Sequence, residues 1–199
     1  MNQFIYATDD SINRDFAHAI DHDIWAFVSP SKFHGWQGIA YDGALEFTLS
    51  SYSGSFNPSN YNKLYNGNDL NLVEIFCSQC NLNLGVTLAF PLLKTISGLF
   101  NGLTTQYSLP LNEKAGWVKD PKNELIKDWQ QPTKCEFIEV LCGITTMKII
   151  SDFTKWYESI TLDNVNLRAA NSSKNYNGRY QMPICAQNRP NGRKCTCNN

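Results

Sequence analysis

The sequence predicts an all-β fold, a β-sandwich crossed by one short helix. The main observation is a strict alternation of apolar residues with polar or small ones, because successive side chains of a strand point to opposite faces of its sheet. The alternation is clearest between residues 82 and 90, where the apolar positions are Leu82, Leu84, Val86, Leu88 and Phe90. A second observation is that the strands are not separated by long helical segments, which argues against an α/β fold.

The other strands are predicted from shorter patterns. From residue 42 to residue 52 apolar and polar positions alternate, as is typical of a half-buried strand. The apolar positions of this strand are Leu45, Phe47 and Leu49. Weaker patterns predict strands at residues 24–28, 72–77, 105–111, 145–153 and 157–167. The segments between them are rich in Asn and Gly, which supply the positive φ that tight turns require.

The last predicted strand changes phase along its length. Ile160 and Leu162 share one face, whereas Val165 and Leu167 have the opposite phase. We therefore expect a β-bulge at residues 163–164, which would restore the register and redirect the Asp163 carboxylate.

One helix is predicted between Thr133 and Gly143. Thr133 is followed three residues later by Glu136, the spacing of a capping box, and Gly143 is a typical helix end. Cys135 and Cys142 fall on one apolar stripe of this helix. The two cysteines are separated by a rise of about 10 Å, so they are not expected to form a disulfide with each other.

Length and composition suit one large domain with extensions. The chain has 199 residues, 42% of them hydrophobic, and a net charge of −1. The absence of a basic surplus disfavours nucleic acid as a partner. No apolar run is long enough to insert in a membrane, and no signal peptide is recognisable. We divide the chain into an N-terminal segment (1–23), a β-sandwich (24–170) and a cysteine-containing C-terminal tail (171–199).

Seven cysteines favour an oxidising, extracellular environment. The disulfide candidates are Cys77, Cys80, Cys135, Cys185, Cys195 and Cys197. Cys142 is interpreted as a small buried apolar residue. Because seven is odd, we expect one thiol to be free, joined to another chain, or paired with a cysteine outside this sequence. Zinc binding by the Cys77–Cys80 pair with Cys195 and Cys197 is the less favoured alternative.

Two segments of the chain resemble laminin domain IV, the laminin B type. In residues 24–56 an aromatic strand leads into a Pro-x-x-Phe-x-Gly turn and a Tyr-x-Gly-x-Leu-x-Phe strand. These positions are Pro30, Phe33, Gly35, Tyr41, Gly43, Leu45 and Phe47. In residues 107–167 a Trp-bearing strand is followed by a helix ending in Val-Leu, a strand and Leu-Asp-Asn-Val. The resemblance implies an antiparallel jelly-roll β-sandwich with one short crossing helix and no enzymatic activity, placed in secreted matrix or cell-surface proteins.

No cofactor is expected, and the one metal considered is a structural calcium ion at Asp163. The favoured interpretation of Asp163 is a capped bulge or surface turn that carries no metal. In the broader jelly-roll class an acid in the last strand often holds calcium, which makes Asp163 the candidate here. Calcium needs six to eight oxygen ligands, so Asp21 or Asp23 has to converge on the same ion. His18 and His22, spaced like a pair of zinc ligands, lack the other members of a known metal motif and are interpreted as part of a solvated turn.

The remaining candidates concern carbohydrate. Trp36, Tyr61 and Tyr65 are loop aromatics that could stack on sugar rings, and Asn171 heads the one N-glycosylation sequon of the chain. No catalytic motif is recognisable, so no catalytic residue is predicted. The expected function is a non-enzymatic, extracellular structural or interaction module of a matrix, cell-surface or extracellular filament assembly, with other extracellular proteins as partners. The alternative is a carbohydrate-binding module.

Overall fold

Two antiparallel sheets share one apolar core in the computed structural model of the chain. The structure describes residues 5–8, 25–57, 71–92, 100–120, 130–154 and 158–170. Within these ranges the strands are β1 (Ile5–Thr8), β2 (Ala26–Val28), β3 (Ala44–Ser53), β4 (Asn71–Cys77), β5 (Val86–Pro91), β6 (Thr105–Pro110), β7 (Val118–Asp120), β8 (Thr146–Ile150) and β9 (Ser159–Arg168). The four-stranded sheet has the order β1-β9-β3-β6, and the five-stranded sheet has the order β2-β8-β4-β5-β7. The predicted antiparallel β-sandwich is therefore confirmed.

Strand β3 shows the predicted alternation most clearly. Leu45, Phe47 and Leu49 are fully buried, whereas the intervening Glu46 and Thr48 are half-buried. The strand pairs with β6 on one side and β9 on the other. Its apolar face therefore forms part of the centre of the core.

Strand β5 begins later than the sequence predicts. Leu82 and Leu84 were expected in this strand, but it starts at Val86, and the two leucines are 86% and 70% exposed. The backbone of Asn81, Leu82 and Asn83 has φ values of 50°, 57° and 69°, in the left-handed region that a strand excludes. Residues 81–83 form a left-handed turn within the short helical segment Cys80–Asn83 instead. Apolar alternation alone does not detect this change of backbone conformation.

The predicted bulge lies in β9. Glu46 of β3 pairs with Asn166 and Thr48 pairs with Asp163, so Phe47 alone faces the two residues between them. Asn164, the first of these, has a φ of 55°, which Asn adopts more readily than most residues. The extra residue returns Val165 to the side facing the core.

The predicted helix is α1 (Lys134–Cys142), and its capping box is confirmed. The backbone N–H of Glu136 donates to Oγ1 of Thr133 at 3.3 Å, and the backbone N–H of Thr133 donates to Oε2 of Glu136 at 2.8 Å. The helix ends at Gly143 as predicted. Its buried residues are Phe137, Ile138, Val140, Leu141 and Cys142. Because α1 contacts β4 and β5, residues on both faces of β5 are buried.

The short helices and two of the strands are not predicted by the sequence. Two 3-10 helices, Ser31–Phe33 and Gly38–Ala40, connect β2 to β3. Strand β1 pairs with β9, and strand β7 pairs with β5. Each of these strands has only three or four residues, too few for an alternation to be distinguished from chance.

Aromatic side chains join the helix to the sheets. Trp117 is 1% exposed, and its indole N–H donates to the carbonyl of Pro110 at 2.8 Å. Its ring meets Phe90 edge to face on one side and Phe137 on the other. The tryptophan thus packs against both β5 and α1 with its one polar group satisfied.

Candidate functional site

A cavity of about 390 Å³ opens at one edge of the sandwich, and we call it the edge groove. Its walls come from β1 and β9 of one sheet and from β2, β8 and the turn after β2 of the other. Strands β1 and β2 are the edge strands of their sheets, so this side of the sandwich has no further described strand to cover it. The apolar lining includes Phe27, Met147, Ile149, Leu162 and Val165.

The polar residues of the edge groove lie beside the bulge and on the opposite turn. Lys32, on the turn after β2, is exposed, and Asp163 of β9 is half-buried. The two side chains have opposite charges, so together they add no net charge to the groove. Val28 of β2 and Ile5 of β1, two apolar lining residues, are 61% and 59% exposed.

The structure places Asp163 at the bulge, where its carboxylate has a local partner. Oδ1 of Asp163 accepts a hydrogen bond from the backbone N–H of Asn164 at 2.7 Å. Among the described residues, no group of three or more His, Cys, Asp or Glu side chains is arranged to hold a metal ion. Carboxylates of the described residues alone therefore do not supply three ligands to one calcium ion. Asp21 and Asp23, the predicted additional ligands, lie outside the described residues, and calcium at Asp163 stays a prediction.

A second surface feature is the connection between β4 and β5, residues 78–85, which we call the hairpin tip. A disulfide joins Cys77 to Cys80 and closes its base. Both cysteines are almost fully buried, whereas Leu82 and Leu84 project into solvent. The disulfide is incompatible with the alternative zinc site, which needs both sulfurs as thiolates.

The hairpin tip and the edge groove adjoin the same end of β8. This strand lies between β2 and β4. On one side the backbone N–H of Ser29 donates to the carbonyl of Met147 at 2.8 Å. On the other side the backbone N–H of Ser78 donates to Oγ1 of Thr145 at 2.9 Å. The N-terminal end of β8 therefore holds both the turn beside the groove and the base of the tip.

Both cysteines of α1 are disulfide-bonded. This agrees with the prediction for Cys135 and corrects the interpretation of Cys142 as a simple buried apolar residue. Burial does not show whether a cysteine is a free thiol or part of a disulfide, because a half-cystine is as apolar as a thiol. Their partners lie outside the described residues, as do Cys185, Cys195 and Cys197.

The carbohydrate candidates are only partly described. Trp36 is half-buried and packs against the core, and its buried indole N–H has no hydrogen-bond partner. Tyr61, Tyr65 and the sequon residue Asn171 lie outside the described residues, as do His18 and His22. Sugar stacking and glycosylation therefore stay predictions.

A cluster around Tyr41 was not predicted from the sequence. Its hydroxyl donates to Oε2 of Glu113 at 2.6 Å, and the ammonium of Lys134 lies 5.6 Å from the centre of its ring. Burial and the hydrogen bond to Glu113 raise the pKa of Tyr41. Burial acts to raise the pKa of Glu113 as well, but the hydrogen bond from Tyr41 and two nearby lysines outweigh it, so this pKa is lowered. The cluster fixes the start of α1 to the loops beside β3 and β6.

The comparison with protein families shows which family of extracellular modules the chain is similar to. The model of laminin B (domain IV) matches residues 26–182, most of the chain. The chain belongs to this family. The match includes the second segment that carries the sequence resemblance and all but the first two residues of the first, together with β2 to β9 and α1.

A solved structure supports the same fold for this laminin domain IV chain. The L4b domain of human laminin alpha-2 aligns with a TM-score of 0.62 and 15% sequence identity, over 84% of this chain and 80% of that chain. The search of curated proteins finds no match. Laminin domain IV is a family of extracellular, non-enzymatic structural modules. None of the helices among the described residues is long and apolar enough to cross a membrane.

Proposed function

We propose that this chain is a non-enzymatic extracellular module that contacts other matrix or cell-surface proteins and so holds its neighbours in an assembly. The observation that carries the proposal is the laminin domain IV match over residues 26–182, which includes most of the sandwich. The family consists of modules that support matrix assemblies, and a module of this kind acts through its surface.

The disulfides support an extracellular location. The bond between Cys77 and Cys80 and the bonds of Cys135 and Cys142 require oxidising conditions to form and persist. Intact-mass measurement of the secreted chain with and without reductant tests this part of the proposal. We expect three disulfides within the chain and a further mass from glycan at Asn171. Seven free thiols in the secreted chain would contradict an extracellular role.

Binding to purified proteins tests the interaction role directly. The secreted, disulfide-intact chain is immobilised and presented with a panel of purified matrix proteins, and the same preparation is applied to a glycan array. We expect saturable binding to at least one of the matrix proteins. This binding should persist after the glycans of that matrix protein have been removed enzymatically. Binding to glycans that is lost in W36A, Y61A or Y65A would instead support a carbohydrate-binding module. The absence of protein binding across the panel would count against the proposal.

A further inference from the structure

We propose that the C-terminal tail, residues 171–199, docks on helix α1 and is fixed there by two disulfides, one at Cys135 and one at Cys142. The proposal goes beyond the function proposed above, because a module can bind its neighbours with a tail that is attached only through β9. Its starting point is that both cysteines of α1 are disulfide-bonded.

The two cysteines of α1 are not bonded to each other. They lie seven residues apart in one continuous helix, Lys134–Cys142. This spacing separates their Cα atoms by about 10 Å along the helix axis, whereas the Cα atoms of a disulfide are at most about 7 Å apart. Each of the two cysteines therefore has a partner of its own elsewhere in the chain.

The partners follow by elimination among the seven cysteines of the chain. Cys77 is bonded to Cys80. The cysteines that remain are the three of the tail, Cys185, Cys195 and Cys197. Two of these three are bonded to α1, and the third is left over. The tail is consequently joined to the helix at two points.

Both attachment points lie on the same side of α1. Seven residues make almost two full turns of an α-helix, so Cys135 and Cys142 lie within about 20° of each other around the helix axis. Cys142 is 6% exposed, and Cys135 is half-buried. Two bonds two turns apart fix a segment of the tail on this side of the helix, whereas a single bond would let the tail pivot.

The described end of the chain after β9 lies near the same helix. A Cβ on Gly43 would lie 2.8 Å from the carbonyl carbon of Ala169 and 2.9 Å from the backbone N of Ala170, the last described residue before the tail. A Cβ on Gly38 would lie 2.9 Å from Sγ of Cys142. Gly38 and Gly43 are five residues apart, so their Cα atoms are separated by at most about 18 Å.

The tail is long enough to span this separation. Its first cysteine, Cys185, follows Ala170 by fifteen residues. Fifteen extended residues reach about 50 Å, which exceeds the largest separation of Gly38 and Gly43 even when the about 10 Å between the two cysteines of α1 is added. Either cysteine of α1 is therefore within reach of each cysteine of the tail.

The two bonds change how the module resists a pull on its C-terminal end. Strand β9 pairs with β3 as far as Arg168, so a pull on an unattached tail would act on this last pair first and then open the pairs one after another. When the tail is bonded to α1, a pull applied beyond the bonded cysteines acts on the helix instead. The buried side chains of α1, among them Phe137 and Leu141, hold the helix in the core. A module that holds its neighbours in an assembly thereby has a C-terminal attachment that does not separate the strands of its sheet.

Peptide mapping of the secreted, non-reduced chain tests the pairing. Free thiols are alkylated, and the chain is cut with trypsin and a glutamate-specific protease, because cleavage after Glu136 or Glu139 separates Cys135 from Cys142. We expect each cysteine of α1 to be cross-linked to a peptide of the tail. An alkylated thiol at either position, or a bond from either to another chain, would overturn the proposal. Binding to matrix proteins is measured on the same preparation, so failure of the pairing is distinguished from failure of the proposed function.

Single-molecule pulling of the full chain from its two ends tests the mechanical role. The bonds close about 50 residues or more between α1 and the tail, which cannot extend while the bonds are intact. At about 3.4 Å per residue, we expect wild type to release at least about 170 Å more on unfolding in reductant than without it. C77S/C80S is the matched control, because its missing bond closes a sequence separation of only 3 residues, and it should respond to reductant as wild type does. Equal lengths of wild type with and without reductant would overturn the proposal.

Discussion

The Cα of Gly43 lies directly against the carbonyl oxygen of Arg168, where a Cβ on residue 43 would be 1.8 Å from that oxygen. Gly43 is the glycine of the Tyr-x-Gly-x-Leu-x-Phe segment, and Arg168 is the last residue of β9. The backbone of Gly43 also accepts a hydrogen bond from the N–H of Leu111 at 3.0 Å. This position thus joins three parts of the chain, and it excludes any side chain.

We therefore expect Gly43→Ala to destabilise the fold by at least about 1–3 kcal/mol, the usual cost of overpacking. Gly35 is the matched comparison, because a Cβ there meets no atom within 4 Å and only its φ of 76° favours glycine. Asn tolerates that φ, so Gly35→Asn should be mild, whereas Gly43→Asn should be severe. Free energies of unfolding from urea titration give the comparison. Equal effects at the two positions would show that space is not the constraint at Gly43.

The bulge gives a second prediction, since Asn164 has a φ of 55°. Replacement by a β-branched residue should cost about 1–2 kcal/mol, because that φ brings Cβ close to the following carbonyl oxygen. We expect N164V to lower the free energy of unfolding by this amount and N164G to change it by less than about 1 kcal/mol. If N164V is as stable as wild type, then β9 either has no bulge or has it at another residue.

The capping box gives a third prediction. T133A removes the hydroxyl that accepts the N–H of Glu136 and should destabilise the protein by about 1 kcal/mol, within a range of 0.5–2. T133S keeps an acceptor in the same place and serves as the control. Thermal or urea unfolding measures both variants, and the prediction fails if T133A and T133S are equally stable.

The dependence of stability on pH follows from Glu136. Burial acts to raise its pKa, but hydrogen bonds from Lys119 and Thr133 outweigh it, and the pKa is lowered in the folded state. A lowered folded pKa stabilises the fold above the unfolded pKa of about 4.3, and this contribution is lost as the pH falls through the folded pKa. We expect wild type to lose stability between neutral and acidic pH more steeply than E136Q. Parallel pH profiles for the two proteins would contradict this.

Calcium binding at Asp163 can be tested without knowing its other ligands. An ion that binds only the folded state raises the unfolding midpoint. We expect calcium chloride to raise the midpoint of wild type relative to EDTA, and D163N to abolish the difference. Magnesium chloride at the same concentration controls for ionic strength. A wild-type midpoint that is the same in calcium and in EDTA would reject the calcium prediction.

The features that could be predicted are those encoded by neighbouring residues. The alternation in β3, the capping box of α1 and the phase change in β9 each depend on residues within about one turn or one strand of each other. The bulge beside Asp163 and the presence of Cys77 and Cys80 in disulfides are the parts of the candidate site that such local patterns indicated, although the pairing of these two cysteines with each other was left open. The motif around Gly43 also indicated the family, although not the contact with Arg168 that accounts for the glycine.

Other features depend on residues far apart in the chain. The pairing of β1 with β9 joins residues 5–8 to residues 159–162, and the edge groove exists only because β1 and β2 lie at the same side of two different sheets. Leu82 and Leu84 have the apolar spacing of a strand, yet the left-handed turn at residues 81–83 places them in solvent. Local spacing predicts which residues can share a face. Long-range strand pairing and backbone conformation decide whether that face is buried in the core or exposed to solvent.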